Sequence, residues 1–160
     1  MVVVGTMMMD YLPDFVGMQE MQEGEANHLY ALMQTELLNA VKDEYAFVDF
    51  SGLLGGERFN GLMTPILYRH TVWQVEEIDI SEALDFGGMH RWQWALFSKI
   101  DQPEERCVLL NLHYPVAKNH EEQVAAAKQV NAQIGILQSL YPDAPIFVTG
   151  DFNASTYSPP

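Results

Sequence analysis

The stretch Val148-Thr149-Gly150-Asp151-Phe152-Asn153 decides how this chain folds, because an apolar strand from Pro145 to Val148 ends in it and a carboxylate and an amide follow at once. If the backbone stays extended, Asp151 and Asn153 point to one side while Phe152 points into the core. Such a pair of oxygen-bearing side chains suits a metal ion or a phosphate group. Gly-Asp-x-Asn also makes a good turn in which the side chains cap their own backbone, and these residues alone leave both interpretations open.

Two other apolar segments end in polar side chains in the same way. One runs from Asp14 to a carboxylate at Glu20, and the other runs from Val108 to Asn111 and His113, an amide and an imidazole with one residue between them. Three strands therefore deliver polar groups at their ends.

Read together, six blocks of the chain resemble the endonuclease/exonuclease/phosphatase superfamily, the metal-dependent phosphoesterases similar to DNase I. The blocks are PDFVGMQE (13–20), TPILYR (64–69), RWQWALF (91–97), LLNLHYP (109–115), VAAAKQVNAQI (124–134) and PIFVTGDFNASTYS (145–158). They occur in the family's order and at its approximate spacing over most of the 160 residues. Each block alone has little specificity, and the set of six is specific.

The residue pattern predicts an α+β fold with one mostly antiparallel sheet covered by two helices. The predicted strands are 14–20, 45–50, a hairpin of 65–69 and 71–78, a second pair of 92–100 and 105–112, and 145–148. The predicted helices span 24–42 and 121–141, and the predicted loops span 51–61 and 81–90. The resemblance makes this sheet one half of a four-layer αββα sandwich. The family's closing Ser-Asp-His block and opening strand have no counterpart, so we expect a single partial domain over 1–160 that lacks the C-terminal half. Its uncovered sheet face predicts a homodimer or a complementary half-domain.

The resemblance also implies a metal site. Glu20 and Asp151 would hold Mg²⁺, with Mn²⁺ as the alternative ion, because a hard cation takes carboxylate oxygens and keeps several waters. Asp151 would orient or deprotonate the attacking water, and Asn153 would hold the phosphoryl group or that water. For Glu20 the alternative is a solvated side chain before a helix, where it would favour the helix dipole.

Three further residues complete the site that the resemblance implies. His113 would donate to a phosphate oxygen or to the leaving group; the alternative is a core histidine with its hydrogen bonds satisfied. Asn111 would be a supporting polar group that helps to bind the substrate, and Arg69 would pair with a phosphate unless it forms a surface salt bridge. On this reading the side chains of Glu20, His113, Asp151 and Asn153 converge at one end of the sheet.

Composition narrows the choice of partners. The formal net charge is −14 and only eight residues are Lys or Arg, so unselective binding to nucleic acid is disfavoured. The single cysteine, Cys107, lies in an apolar run and is predicted to be a buried thiol. No apolar run reaches the roughly 20 residues that cross a bilayer, and the start of the chain is a poor signal peptide, so a cytoplasmic location is the default.

Two hypotheses follow. The first is a Mg²⁺-dependent phosphoesterase that hydrolyses a phosphate monoester or diester by in-line attack of a metal-assisted water. The second is a catalytically incomplete half-domain that acts as an assembly or binding module. The sequence does not choose the substrate, since substrate choice lies in loops that carry no recognisable motif.

Overall fold

The computed structural model describes residues 2–19, 37–54, 64–81, 92–114 and 120–153, and seven strands lie within these ranges. In chain order the elements are α1 (Val2–Tyr11), β1 (Phe15–Gly17), α2 (residues 37–41), β2 (Tyr45–Phe47), a 3-10 helix (Ser51–Leu54), β3 (Ile66–Arg69), β4 (Trp73–Ser81), β5 (Trp92–Lys99), β6 (Arg106–His113), α3 (His120–Leu140) and β7 (Ile146–Asp151). Residues 24–36 of the first predicted helix and most of the two predicted loops lie outside the described ranges.

These strands form two sheets where the sequence predicted one. The first is antiparallel in the order β1-β3-β2, and the second has the order β4-β5-β6-β7. Within the second sheet β7 runs parallel to β6, and the other pairings are antiparallel. The predicted α+β class is confirmed.

The hairpin predicted from residues 65–69 and 71–78 is wrong, because β3 and β4 belong to different sheets. A turn closed by the Val72 N–H donating to the Arg69 carbonyl at 3.0 Å redirects the chain. Trp73 then packs against the first sheet, where its ring centre lies 5.0 Å from that of Phe15 with the two ring planes tilted by 49°. The burial of these two aromatic rings between the sheets favours this arrangement over a hairpin in which β4 pairs with β3.

A hydrophobic layer joins the two sheets. The ring of Phe97 in β5 contacts Phe15 of β1 at 4.6 Å and Tyr68 of β3 at 5.3 Å. The layer also includes buried residues of both sheets and of the segment after β2: Val48, Phe50, Ile66, Ala95, Cys107 and Leu109. The interior face of the second sheet is therefore covered, over this part, by strands of the same chain.

Helices cover the two outer faces. On the second sheet α3 buries Ala126, Val130 and Leu137 against side chains of β5, β6 and β7. On the first sheet Met8 of α1 and Leu37 and Val41 of α2 pack around Tyr45 and Leu67. The order of layers is helix, sheet, sheet, helix.

Strand β6 is buried on both faces, which explains its apolar run from Cys107 to Leu110. Val108, Leu110 and Leu112 face α3, whereas Cys107 and Leu109 face the first sheet. Cys107 is a buried free thiol, as predicted, and burial raises its pKa to about 12. None of the helices in the described ranges is both long and apolar enough to cross a membrane.

Candidate functional site

The polar side chains of β6 and β7 lie together at one edge of the second sheet, namely the end where both strands finish. Because the two strands are parallel, their carboxyl ends meet at the same edge, and His113 is the register partner of Asp151. His113 Nε2 lies 4.0 Å from Asp151 Oδ2. The imidazole is buried with 6% of its side chain exposed, whereas the carboxylate is 51% exposed. This outer pair, His113 and Asp151, presents one buried and one solvent-facing group.

A tight turn follows Asp151. Its Oδ1 accepts a 2.8 Å hydrogen bond from the Asn153 N–H, and Asn153 adopts a left-handed backbone with φ 44°. The Asn153 side-chain amide donates to the Tyr114 carbonyl. The backbone therefore does not stay extended through Phe152, which was the condition for Asp151 and Asn153 to point to one side. Phe152 does not enter the core, since it is 41% exposed and its ring contacts that of Tyr114 edge to face. Both interpretations of Gly-Asp-x-Asn therefore hold: the side chains cap the turn, and the same residues form a cluster of polar groups.

One step further into the sheet, Asn111 and Thr149 form a second pair of register partners, the inner pair. Thr149 Oγ1 donates to Asn111 Oδ1 at 2.9 Å, and Gln19 Nε2 donates to the same oxygen at 2.9 Å. Asn111 Nδ2 lies 2.9 Å from the Met18 carbonyl, 3.0 Å from that of Thr64 and 3.2 Å from that of Pro65. The fully buried Asn111 amide thus links β6 to β7, to the end of β1 and to the start of β3.

Two glycines allow this close approach. A Cβ on Gly17 would lie 2.2 Å from Thr149 Oγ1 and 2.5 Å from Asn111 Oδ1. Gly150 has φ 147°, a conformation that side chains disfavour, and a Cβ there would lie 2.1 Å from the Leu112 carbonyl oxygen. Neither β1 nor β7 would fit against β6 with a larger residue at these positions.

The sequence-predicted residues do not all reach this edge. The structure brings His113, Asp151, Asn153 and Asn111 together. Arg69 lies at the opposite end of the first sheet, where its guanidinium is 3.5 Å from Asp14 Oδ1 and 3.6 Å from Glu44 Oε2. This is the surface salt bridge that the sequence left open as its alternative.

The remaining predicted residue, Glu20, lies outside the described residues. Its neighbour Gln19 contacts the inner pair, which brings the end of β1 to the same edge. Sequence reasoning missed Gln19, Thr149 and Gly17. The alternation along β7 could have found Thr149, since it shares a face with Asp151.

The described residues supply part of a donor set for a metal ion. Within the described ranges no three His, Cys, Asp or Glu side chains come together as a metal cluster. Asp151 nevertheless offers a half-exposed carboxylate at the sheet edge. Mg²⁺ needs only one or two carboxylates because it keeps several waters. The described residues therefore fit one side of such a site, and a second carboxylate would have to come from outside them.

A cleft of about 690 Å³ runs from Asp14, at the opposite end of the sheets, to Thr149 of the inner pair and does not contain the outer pair. Its apolar lining includes Phe15, Trp73, Leu109 and Phe147. Thr149 of the inner pair also lines it, while His113 and Asp151 do not. The cleft follows the open side of β7, where Phe147 is 51% exposed.

Comparison with known proteins places the fold. No family model matches the chain, and no curated protein matches it either. Among solved structures, truncated TDP2 from Caenorhabditis elegans matches with a TM-score of 0.70 and 18% identity, over 96% of this chain and 55% of that chain. An endonuclease/exonuclease/phosphatase family protein from Bacteroides thetaiotaomicron matches with a TM-score of 0.68 and 18% identity, over 94% of this chain and 53% of that one.

A third solved structure is ANGEL2, a 2′,3′-cyclic phosphatase, in complex with adenosine-2′,3′-vanadate. It matches with a TM-score of 0.66 and 17% identity, over 98% of this chain and 44% of that chain. The present chain spans about half the length of these solved structures. Its two sheets and flanking helices have the DNase I-like fold of these solved structures.

Proposed function

We propose that this protein is a metal-dependent hydrolase of phosphate esters, with its site at the outer pair. The observation that carries the proposal is the meeting of His113 and Asp151 at the carboxyl ends of a parallel strand pair. The fold is shared with ANGEL2, a 2′,3′-cyclic phosphatase, which supports phosphate-ester chemistry.

Asp151 is the group that acts on water. Its carboxylate is half exposed, so a water molecule can reach it. The Asn153 N–H holds Oδ1 and thereby fixes the orientation of the carboxylate. A carboxylate fixed in this way orients the attacking water and accepts its proton as the water attacks phosphorus.

His113 and Asn153 act on the phosphate. The His113 imidazole is packed at the end of β6 with Nε2 directed toward Asp151, so its position is fixed before substrate arrives. A protonated or neutral imidazole N–H donates to a phosphate oxygen or to the leaving oxygen as negative charge shifts onto it. The Asn153 amide uses one N–H on the Tyr114 carbonyl, and its second N–H is available to a phosphate oxygen.

Glu20 and Asp151 would hold Mg²⁺, with Mn²⁺ as the alternative ion. When bound, the ion supplies neutralisation of phosphoryl charge and a lowered pKa for its bound water. This protein's own part would be to bring the two carboxylates to one end of the sheets. The proposal is supported by Gln19 at the end of β1 and Thr149 of β7, which both donate to Asn111.

The substrate class is a phosphate monoester or diester. With a net charge of −14, the protein would repel a polyanion approaching without selectivity. Small phosphate esters therefore fit the charge better than long nucleic acids, and a nucleic-acid substrate would need to bind through the metal or through a local end.

Hydrolysis of 4-nitrophenyl phosphate and of bis(4-nitrophenyl) phosphate, measured with Mg²⁺ and with a chelator, tests the proposal. Asp151→Asn keeps the shape and the bond to the Asn153 N–H but removes the base, so the rate should fall by about a hundredfold or more. Arg69→Gln at the opposite end of the sheet is the control and should stay within about twofold of wild type, since exposed ion pairs contribute little. No Mg²⁺-dependent turnover of either ester, or equal losses in the two variants, would contradict the proposal.

A second candidate function is an assembly or binding module. The half-exposed Phe147, which lines the cleft, favours it. Among the described residues β7 is the last strand of its sheet, and such a strand edge with an apolar side chain pairs readily with another chain. Light scattering at several concentrations tests self-association, and Phe147→Lys should abolish it. A strict monomer whose mass does not change with concentration would exclude the homodimer.

A further inference from the structure

We infer that Asn111 is a positioning residue of the proposed hydrolytic site, which holds the strand ends of the site in register without touching substrate. The inference rests on the proposed function and deepens it. The sequence assigned Asn111 a role in binding substrate, whereas the structure surrounds its amide with protein groups.

The amide of Asn111 is fully engaged. Its oxygen accepts two hydrogen bonds, from Gln19 and from Thr149, and its nitrogen faces three backbone carbonyls. A carboxamide has two acceptor sites on oxygen and two hydrogens on nitrogen, so this set uses all of them. The residue is also 0% exposed. It has neither a free hydrogen-bonding group nor a surface to offer a substrate.

The bonds of Asn111 reach the segments that carry the proposed site. Thr149 precedes Asp151 by one intervening residue on the same face of β7, and Asn111 has the same relation to His113 on β6. Fixing the inner pair at 2.9 Å therefore fixes the spacing of the outer pair one step along the sheet. Met18 and Gln19, which also bond to Asn111, lie directly before Glu20 in the sequence.

Only a carboxamide can make these contacts at once. The carbonyls of Met18 and Thr64 require donors, whereas Gln19 and Thr149 require an acceptor. An aspartate would place an acceptor against three carbonyls, and a leucine of similar size would leave all partners without a bond. The expected result of either change is a site whose parts are present but misplaced.

A mild variant separates positioning from folding. Thr149→Val keeps the shape of the side chain and removes only its bond to Asn111, and Thr149→Ser restores the hydroxyl. We expect kcat to fall at least tenfold in Thr149→Val with KM within about twofold, and to recover to within about threefold of wild type in Thr149→Ser. Val130→Ala, on α3 and away from both pairs, lowers stability and should leave kcat unchanged at a temperature well below its Tm.

An activity-independent measurement keeps this inference distinct from the proposed function. The Met18 N–H donates to the Pro65 carbonyl, which also faces Asn111 Nδ2. Amide hydrogen exchange at Met18 should be at least tenfold faster in Asn111→Asp or Asn111→Leu than in wild type, and unchanged in Val130→Ala. If wild type shows no hydrolysis but exchange behaves in this way, the proposed function fails, whereas the role of Asn111 in holding the strand ends in register stands. Unchanged exchange at Met18, or a Thr149→Val enzyme with wild-type kcat, overturns the inference.

Discussion

Replacing Gly17 by alanine should destabilise the fold at the point where β1 crosses the inner pair. The added Cβ would lie 2.2 Å from Thr149 Oγ1, 2.5 Å from Asn111 Oδ1 and 2.8 Å from Asn111 Cγ. Carbon and oxygen atoms that do not bond to each other need more than 3 Å, and two carbons need still more, so all three contacts must open.

The magnitude follows from what can move. Thr149 can rotate its hydroxyl away, at the loss of a hydrogen bond that contributes about 1 kcal/mol. Asn111 cannot turn without losing its bonds to three carbonyls, so the remaining overlap must be relieved by a shift of β1, and such overpacking costs about 1–3 kcal/mol. We therefore expect Gly17→Ala to lower the free energy of unfolding by about 2–4 kcal/mol and Tm by about 5–15 °C.

Thermal unfolding followed by circular dichroism measures this effect, with Gly135→Ala as the matched control. Gly135 lies within α3 with nothing within 4 Å of the added Cβ, so alanine there should stabilise the helix by about 0.5–1 kcal/mol. The two identical chemical changes are thus expected to have opposite signs. A Gly17→Ala protein that melts within about 1 °C of wild type would refute the packing described for the inner pair.

Two other substitutions test the fold and its ionisation. Gly150→Ala places a Cβ 2.1 Å from a backbone oxygen at φ 147°, so it should cost more than Gly17→Ala in the same melting experiment; an equal or smaller loss would contradict the reading. Because burial raises the pKa of Cys107 from 9.0 to about 12, the unfolded chain loses this proton first as pH rises, and the stability present below pH 9 should decline between pH 9 and about 12. Cys107→Ala should show a shallower decline over that range in denaturant titrations, and identical slopes would argue against a protonated buried thiol.

Local elements could be predicted from the sequence where a turn and an apolar period fixed them. The strands predicted at 92–100 and 105–112 pair as β5 and β6, and the helix predicted at 121–141 is α3, His120–Leu140. The last strand was predicted to stop at Val148, yet it continues to Asp151. Residues 149–151 pair with residues 111–113 of β6, and this pairing between distant segments is not encoded in the local pattern.

The division into two sheets could not be predicted in the same way. An alternating pattern tells which residues of β3 and β4 are buried but not which strand lies beside them. The contact of Trp73 with Phe15 across the layer decides the matter, and it joins segments far apart in the chain.

The candidate site shows the same limit. That His113 and Asp151 end their strands was readable in the sequence, and a parallel pairing brings them together. Arg69 also ends a strand, but β3 runs antiparallel to β1, so its end lies beside Asp14 and away from Gln19. The Asn111 contacts with Met18, Gln19 and Thr64 join residues 47 to 93 positions apart, which no local spacing reveals.

The central claim, that the outer pair at the ends of β6 and β7 is the phosphate and metal site, is most directly tested by nuclear magnetic resonance. The backbone amides of ¹⁵N-labelled protein would be followed during titration with Mg²⁺ and then with inorganic phosphate. We predict the largest shifts at residues 111–114 and 149–153, and loss of these shifts in Asp151→Asn. Shifts centred on Arg69, or no saturable shifts at the outer pair, would contradict the claim.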